Sequence, residues 1–225
     1  MLRFFGILIL SALVAELLLL GSAAVGNSFL SRMNPYTTTF MENYEFSHWR
    51  GAELDWTPLS QISPNLIRAT LVAEDDAFFE HQGLDMKELK ESWEKNLKKG
   101  RIVRGGSTIT MQVVKNLYLS PSRNPIRKLN EMILALDLES KADKARILEV
   151  YLNIAEWGRG IYGAQAASRH YFQKDARQLN TSEAAFLAAI LPNPVYLVEQ
   201  AKGKARYRQN IILGRMGGRE LPPDL

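Results

Sequence analysis

The sequence predicts a mainly α protein in two parts, a membrane-crossing helix at the N-terminus and one helical domain after it. Three observations carry this. An almost unbroken apolar run opens the chain. From Ser63 onward, apolar residues recur at helical spacing between recognisable start and stop signals. No stretch alternates apolar with polar residues well enough to make a strand. With 225 residues and 46% hydrophobic content, one domain plus an appendage, with a real core, is expected.

Residues 4–25 form the first element, 22 residues preceded by Arg3. At about 1.5 Å per residue they span a hydrocarbon layer of about 30 Å. Glu16 is the objection, since a central acid costs roughly 3 kcal/mol on insertion scales. Thirteen Leu, Ile, Val and Phe residues offset it, each by about 0.3 to 0.6 kcal/mol. The length favours an anchor over a cleaved signal peptide, for which "GSAAVG" offers small residues. Either reading exports the rest of the chain. Residues 1–26 are therefore expected as the anchor, 27–58 as a connector and 59–225 as the domain.

Within the domain, Ser63-Pro64 reads as an N-cap followed by proline at the first helical position. A helix is expected through residues 66–79, with others at 85–99, 109–119, 125–141, 143–156, 160–172 and 181–191. The last begins at "NTSEAAF", where Asn180 and Glu183 have capping-box spacing. The same Asn180-Thr181-Ser182 matches a glycosylation acceptor, but capping explains it more simply. Cysteine is absent, which excludes disulfides, thiolate metal sites and cysteine nucleophiles. Three histidines, His48, His81 and His170, are too scattered to suggest a metal site.

The charge map is uneven. The net charge is +4, yet residues 95–128 hold nine Lys or Arg and no Asp or Glu. A solvated helix would explain "EKNLKKGR" alone. The block also contains "RGGSTITMQ", in which two glycines free the backbone and Ser107, Thr108 and Thr110 bring hydroxyls to a helix entry. Helix N-termini and backbone nests bind anions, which suggests phosphate. The spacing is not that of a P-loop. An exported protein rarely meets nucleic acid, so a phosphorylated lipid or a diphosphate sugar donor fits better.

Two acids stand out. In "ATLVAEDDAFFEHQGLD", Glu74 shares a helix face with Ile67, Leu71 and Phe78. Apolar neighbours and the adjacent Asp75 raise a carboxyl pKa, as a general base requires. A solvated helix end is the plainer reading. In "RKLNEMILALDLES", Glu131 follows Arg127 by four and sits among apolar residues. It is either an ordinary helix ion pair or a second carboxylate facing a cleft.

Taken together, these segments resemble the peptidoglycan glycosyltransferase family. "EDDAFFEHQG" resembles its first motif, E-D-x-x-F-x-x-H-x-G. "RGGSTITMQVVKNLYL", "RKLNE", "RILEVYLNIAEWGRGIYGAQAASRHYF" and "EAAFLAAILPNP" resemble the next four, in order, over roughly residues 60–200. "YLNIAEWGRGIYG" is close to the Gram-negative form. One anchor and no second domain make the chain similar to the monofunctional members, without transpeptidase activity. "SWEK" at residues 92–95 does match S-x-x-K, but no K-T-G follows, and Ser92 reads as a surface helix residue.

The resemblance implies a lysozyme-like α fold and elongation of β-1,4 glycan strands from lipid II, with inversion and release of undecaprenyl diphosphate. It puts Glu74 as general base and Glu131 as second carboxylate. Lys115, Arg123, Arg127 and Lys128 face the diphosphate, and Ser107, Thr108 and Gln112 line the second-motif loop. Asp75 supports Glu74. His81 either helps catalysis or fixes the loop after the helix. Asn153 either holds two helices or contacts the cleft. No cofactor is required, though the family implies an optional divalent cation (Mg or Mn) at the diphosphate. The implied partners are lipid II and the growing lipid-linked strand, membrane lipid and other cell-wall synthesis proteins, and not nucleic acid. The implied location is a single pass through the cytoplasmic (inner) membrane, with the domain on the periplasmic face. Where the family has two glutamines after "STIT", this chain has Met111-Gln112, and Met111 is expected in the core. The aromatics Tyr118, Tyr151, Trp157, Tyr162, Tyr171 and Phe172 read as core or cleft wall.

The rivals are a hydrolase or lytic enzyme on the same fold, which would not need the acid-free basic block, and a non-catalytic scaffold that binds anionic lipid.

Overall fold

The apolar N-terminal run folds as one helix, α1 (Leu2–Leu30). Its 29 residues measure about 44 Å at the usual helical rise. It is long and apolar enough to cross a membrane. The computed structural model describes residues 2–48, 54–101, 105–122, 124–223 and 225.

The helix does not yield to a connector at residue 26. It continues to Leu30 because one face is packed: Ala23, Asn27 and Leu30 are buried, while Leu17, Leu18 and Phe29 remain exposed. The supposed connector also contains a helix, α2 (Thr39–His48). Buried Met41 anchors α2, and Thr39 Oγ1 donates to the carbonyl of Leu117 at 2.8 Å. Scattered polarity had hidden this segment: Phe40, Met41 and Tyr44 pack inward, while Phe46 stays exposed.

The remaining helices are α3 (Pro64–Glu74), α4 (Met86–Lys99), α5 (Ile109–Tyr118), α6 (Pro125–Glu139), α7 (Lys144–Ile154), α8 (Ala164–Phe172), α9 (Thr181–Ile190), α10 (Pro194–Glu199) and α11 (Lys202–Met216). The caps read from the sequence are present. Ser63 accepts from the amide of Asn65, and Asn180 with Glu183 forms the capping box. The helix α9 is apolar nearly all round. It lies between α3 and α11 with Ala184, Ala185, Leu187, Ala188 and Ile190 fully buried, which is the pattern of a central core helix. A second layer packs α5 against α6 and α7, and α6 against α1.

Helices were expected at 143–156 and 160–172. Instead α7 stops at Ile154, and a two-stranded antiparallel hairpin, β1 (Glu156–Gly158) with β2 (Ile161–Tyr162), precedes α8. Glycine explains the break. Gly160 has φ +71° at the hairpin turn, and Gly163 has φ +87° with its α-carbon so near the Asn153 carbonyl that a Cβ would sit 2.8 Å from the oxygen. Strands this short leave no alternation to detect.

Most of the aromatics singled out are core: Trp157, Tyr151 and Tyr162 are buried, and Tyr118, Tyr171 and Phe172 pack partly buried against them. Met111 is fully buried, as expected. Ser92 is not a surface residue. It is buried in α4, and its hydroxyl donates to Glu88.

Candidate active site

The helix expected to run through residue 79 ends at Glu74. Asp75 leaves helical geometry at φ −161°, ψ 81°, and its side chain explains why. Its Oδ2 accepts from the amide of Ile109 at 2.9 Å, at the first turn of α5, and both of its oxygens face His81 Nε2 at 3.0 and 3.1 Å. A carboxylate is favoured at a helix N-terminus by the orphan amides and the helix dipole. The three consecutive acids therefore diverge. Glu74 points into the site, Asp75 straps α3 to α5, and Asp76 is on the surface with Arg215 at 2.8 Å and Arg219 at 3.5 Å. Helical spacing had put Phe78 on the Glu74 face, but it lies beyond the helix end.

The anion expected at the α5 N-terminus is thus the protein's own. Thr108, expected to line the substrate loop, is buried. Its hydroxyl donates to the Gly83 carbonyl at 2.6 Å and accepts from the amide of Met111 at 3.2 Å. It caps α5, its one hydrogen is already donated, and its burial keeps it from a ligand. Replacing Asp75 by Ala removes both the strap and the amide's partner. The expected loss is about 1–3 kcal/mol of unfolding free energy. An unchanged denaturant midpoint would show that the strap does not hold these helices.

Glu74 is the centre of the first half-site. Its side chain is 11% exposed. Gln112 Nε2, on α5, donates to its Oε2 at 3.0 Å, and Gln112 Oε1 in turn accepts from the Tyr151 hydroxyl at 3.2 Å. Gln112 therefore holds the Glu74 carboxylate, a different task from lining a loop. Burial raises the Glu74 pKa above the ordinary carboxylate value. The Gln112 hydrogen bond and the Arg208 and Lys115 charges oppose that rise, and the Asp75 charge reinforces it. Substituting Gln112 by Leu removes the largest opposing influence. The acid limb of a pH–rate profile is then expected to move to higher pH, because more alkali is needed to ionise Glu74. A limb that stays in place would detach Gln112 from the base.

The second half-site stands on α6. Glu131 is 1% exposed. It is ion-paired with Arg127 one turn back, and its Oε2 lies 2.8 Å from Lys128 Nζ. Lys128 also donates to Ser107 Oγ at 2.8 Å, which ties the glycine-rich segment to α6. Asn124 caps the helix through the amide of Arg127. Of the two earlier readings of Glu131, the helix ion pair is formed, and its carboxylate is buried.

Lys115 joins the halves. Burial lowers its pKa, Glu131 opposes this, Arg127 and Lys128 reinforce it, and Glu74 opposes it again. One ammonium thus interacts with both carboxylates and with the cations beside them. Its Nζ also lies 5.6 Å from the Phe40 ring centre, on α2. Arg123 lies outside the described residues.

Two expected supporting residues separate. His81 is held by Asp75 and packed edge-on to Phe78, contacts that tie down the segment after α3. Asn153 is fully buried away from the carboxylates. Its Oδ1 accepts from the Thr57 amide at 2.7 Å, and its Nδ2 donates to the Thr57 and Glu149 carbonyls. It fixes the segment before the 3-10 turn Leu59–Gln61.

Arg208 was not anticipated. On α11, its Nε donates to the Ala189 carbonyl at 2.9 Å and its guanidinium approaches Glu74 Oε1 at 3.9 Å. In "KARYRQNIILGRM" it is one of several cations, and no local spacing distinguishes the one that folds back onto α3.

The donor set does not fit a divalent cation held by protein. Among the described residues no three His, Asp or Glu side chains come together, and Glu131 is already paired with two cations.

The profile of the transglycosylase family matches residues 41–217, and the chain belongs to that family. It is accordingly a glycosyl-transferring enzyme on the family's mainly α, lysozyme-like fold. The match opens within α2, ahead of residue 59, where the domain was expected to begin. Among individual relatives, the biosynthetic peptidoglycan transglycosylase of Chromobacterium violaceum is 47% identical over 223 residues, 95% of this chain and 97% of the relative. That of Thiobacillus denitrificans is 46% identical over 185 residues, 80% and 79% of the two chains. That of Laribacter hongkongensis is 43% identical over 190 residues, 81% and 82%.

Proposed function

We propose that the protein elongates peptidoglycan glycan strands, using lipid II and a growing strand linked through diphosphate to a polyprenyl lipid. The observation that supports this most is a pair of carboxylates, the largely covered Glu74 and the buried Glu131, with the Lys115 charge acting on both and with Arg127 and Lys128 paired to Glu131.

In the proposed reaction, Glu74 accepts the proton of the acceptor 4-hydroxyl as its oxygen attacks the donor's anomeric carbon. The carbon–oxygen bond to the diphosphate breaks on the opposite face, so the α-linked donor gives a β-1,4 bond. The diphosphate leaves with the bonding electrons, and its charge falls on Lys115, Lys128 and Arg127, with Arg123 as a further cation. Preorganised cations where charge develops are the strongest catalytic device available here. Glu131 keeps Arg127 and Lys128 in place at the donor side. No step requires a cofactor, and any divalent cation would enter on the donor's own diphosphate.

The long apolar α1 suits a single-pass anchor in the cytoplasmic membrane, with the domain on its periplasmic face, where such a donor is presented. Exposed Ile126, Leu129, Ile133 and Leu136 on α6 suit contact with lipid.

The test is product length. Purified full-length protein given lipid II is expected to yield long glycan. Release of short fragments from mature wall, with no polymer from lipid II, would favour the lytic alternative.

A further inference from the structure

The helix α1 makes specific contacts with α6, which carries the second half-site, and with α5, which carries Lys115. Its packed face carries Glu16, Leu20, Ala23, Asn27 and Leu30, alternately four and three residues apart, with Ala24 beside them. Along α6 the facing groups are Asn130, the Leu134 carbonyl, Asp137 and, just beyond the helix, Lys141. Asn130 Nδ2 donates to Glu16 Oε1. Asn27 Nδ2 donates to the Leu134 carbonyl at 3.2 Å and to Asp137 Oδ2 at 2.8 Å, and Lys141 Nζ donates to the Ala24 carbonyl at 2.8 Å. Gly26 receives α5 closely, since a Cβ there would lie 2.8 Å from the Tyr118 hydroxyl.

An acid on an otherwise apolar helix face is costly to cover and calls for a partner. A bare tether would carry leucine at position 16. The partner here is Asn130, buried and immediately before Glu131 in the chain. We infer that Glu16 and Asn130 are positioning residues, through which the membrane helix fixes the rotation and height of α6 and thereby aims Glu131, Arg127 and Lys128 across the site. The inference rests on the proposed glycosyl transfer.

The experiment uses full-length protein in vesicles of bilayer lipid, supplied with lipid II. Glu16→Ala is expected to lower kcat about tenfold with little change in KM, the size of effect that a small misplacement of catalytic groups produces. Glu16→Gln keeps an oxygen acceptor and restores most of the rate. Asn130→Ala matches Glu16→Ala, and the double variant is no slower than either, because both remove one contact. Leu18→Ala, on the exposed face, leaves the rate unchanged. Wild-type kcat in Glu16→Ala, or additive losses in the double variant, overturns the inference. If Glu16→Ala fails to insert, Asn130→Ala decides alone, and full activity there overturns it.

The chain contains no cysteine, so the double variant Glu16→Cys, Asn130→Cys reports the contact without any activity. A short bismaleimide should join the two thiols in vesicles. Failure to cross-link overturns the contact. Absence of polymer from the wild type, with cross-linking intact, would instead count against the reaction.

Discussion

Replacing Glu74 with Gln is expected to abolish polymerisation while leaving the fold intact. A positioned general base contributes about a hundred- to ten-thousand-fold, and kcat/KM should fall by that much. The fold should survive because Gln keeps the shape of Glu and an oxygen for Gln112 Nε2 to bond. The stability effect has a definite sign. Burial, with Asp75 adding to it, raises the Glu74 pKa in the folded protein against the pull of Gln112, Arg208 and Lys115. The folded state therefore binds this proton more tightly than the unfolded chain. That contribution is complete below the ordinary glutamate value and is lost as pH rises through the raised one. Above that window the ionised carboxylate is a cost, and Gln does not bear it. Thermal unfolding of Glu74→Gln at pH 8 is expected at or above the wild-type midpoint, and the advantage should disappear towards pH 4. Wild-type glycan yield from the purified variant would remove Glu74 from the mechanism.

Lys115→Met should be the second-largest loss. Methionine keeps an apolar stem of similar length beside Phe40 and deletes only the ammonium. Losing one preorganised charge opposite a leaving group costs about a hundred- to a thousand-fold in kcat. Little stability should be lost. Burial already lowers the Lys115 pKa, so its charged form is held at a cost, and Glu131 keeps Arg127 and Lys128 as partners. A second readout separates this from simple damage. Lys115 is one of the groups pulling the Glu74 pKa down, so the residual activity should need a higher pH. Unchanged kcat/KM with a large drop in melting temperature would make Lys115 structural.

Much of this was legible in the sequence because it is local. Ser63-Pro64 and Asn180 with Glu183 are caps whose partners lie within three residues, and both are formed. The apolar run of α1 needs no neighbour to be recognised. Arg127 and Glu131 are one helical turn apart, so their pairing follows from spacing. Met111, lacking an amide, belonged in the core and lies there.

What failed was what depends on distant partners. The helix at Glu74 stops because Asp75 is drawn to an amide 34 positions away, which no periodicity at residues 66–79 reveals. Thr108 looked like a substrate hydroxyl, and only the Gly83 carbonyl opposite shows that it is already engaged. Asn153 fixes Thr57, and Arg208 reaches Glu74 from the last helix.

The sequence by itself determined the helical class, the membrane-length helix, the two carboxylates and the basic block, because charge and hydrophobic period are properties of the chain. The tertiary structure alone decided that Asp75 turns to the Ile109 amide and Asp76 to Arg215, and that Glu16 meets Asn130. Burial and hydrogen-bond pairing exist only once separate helices are packed together.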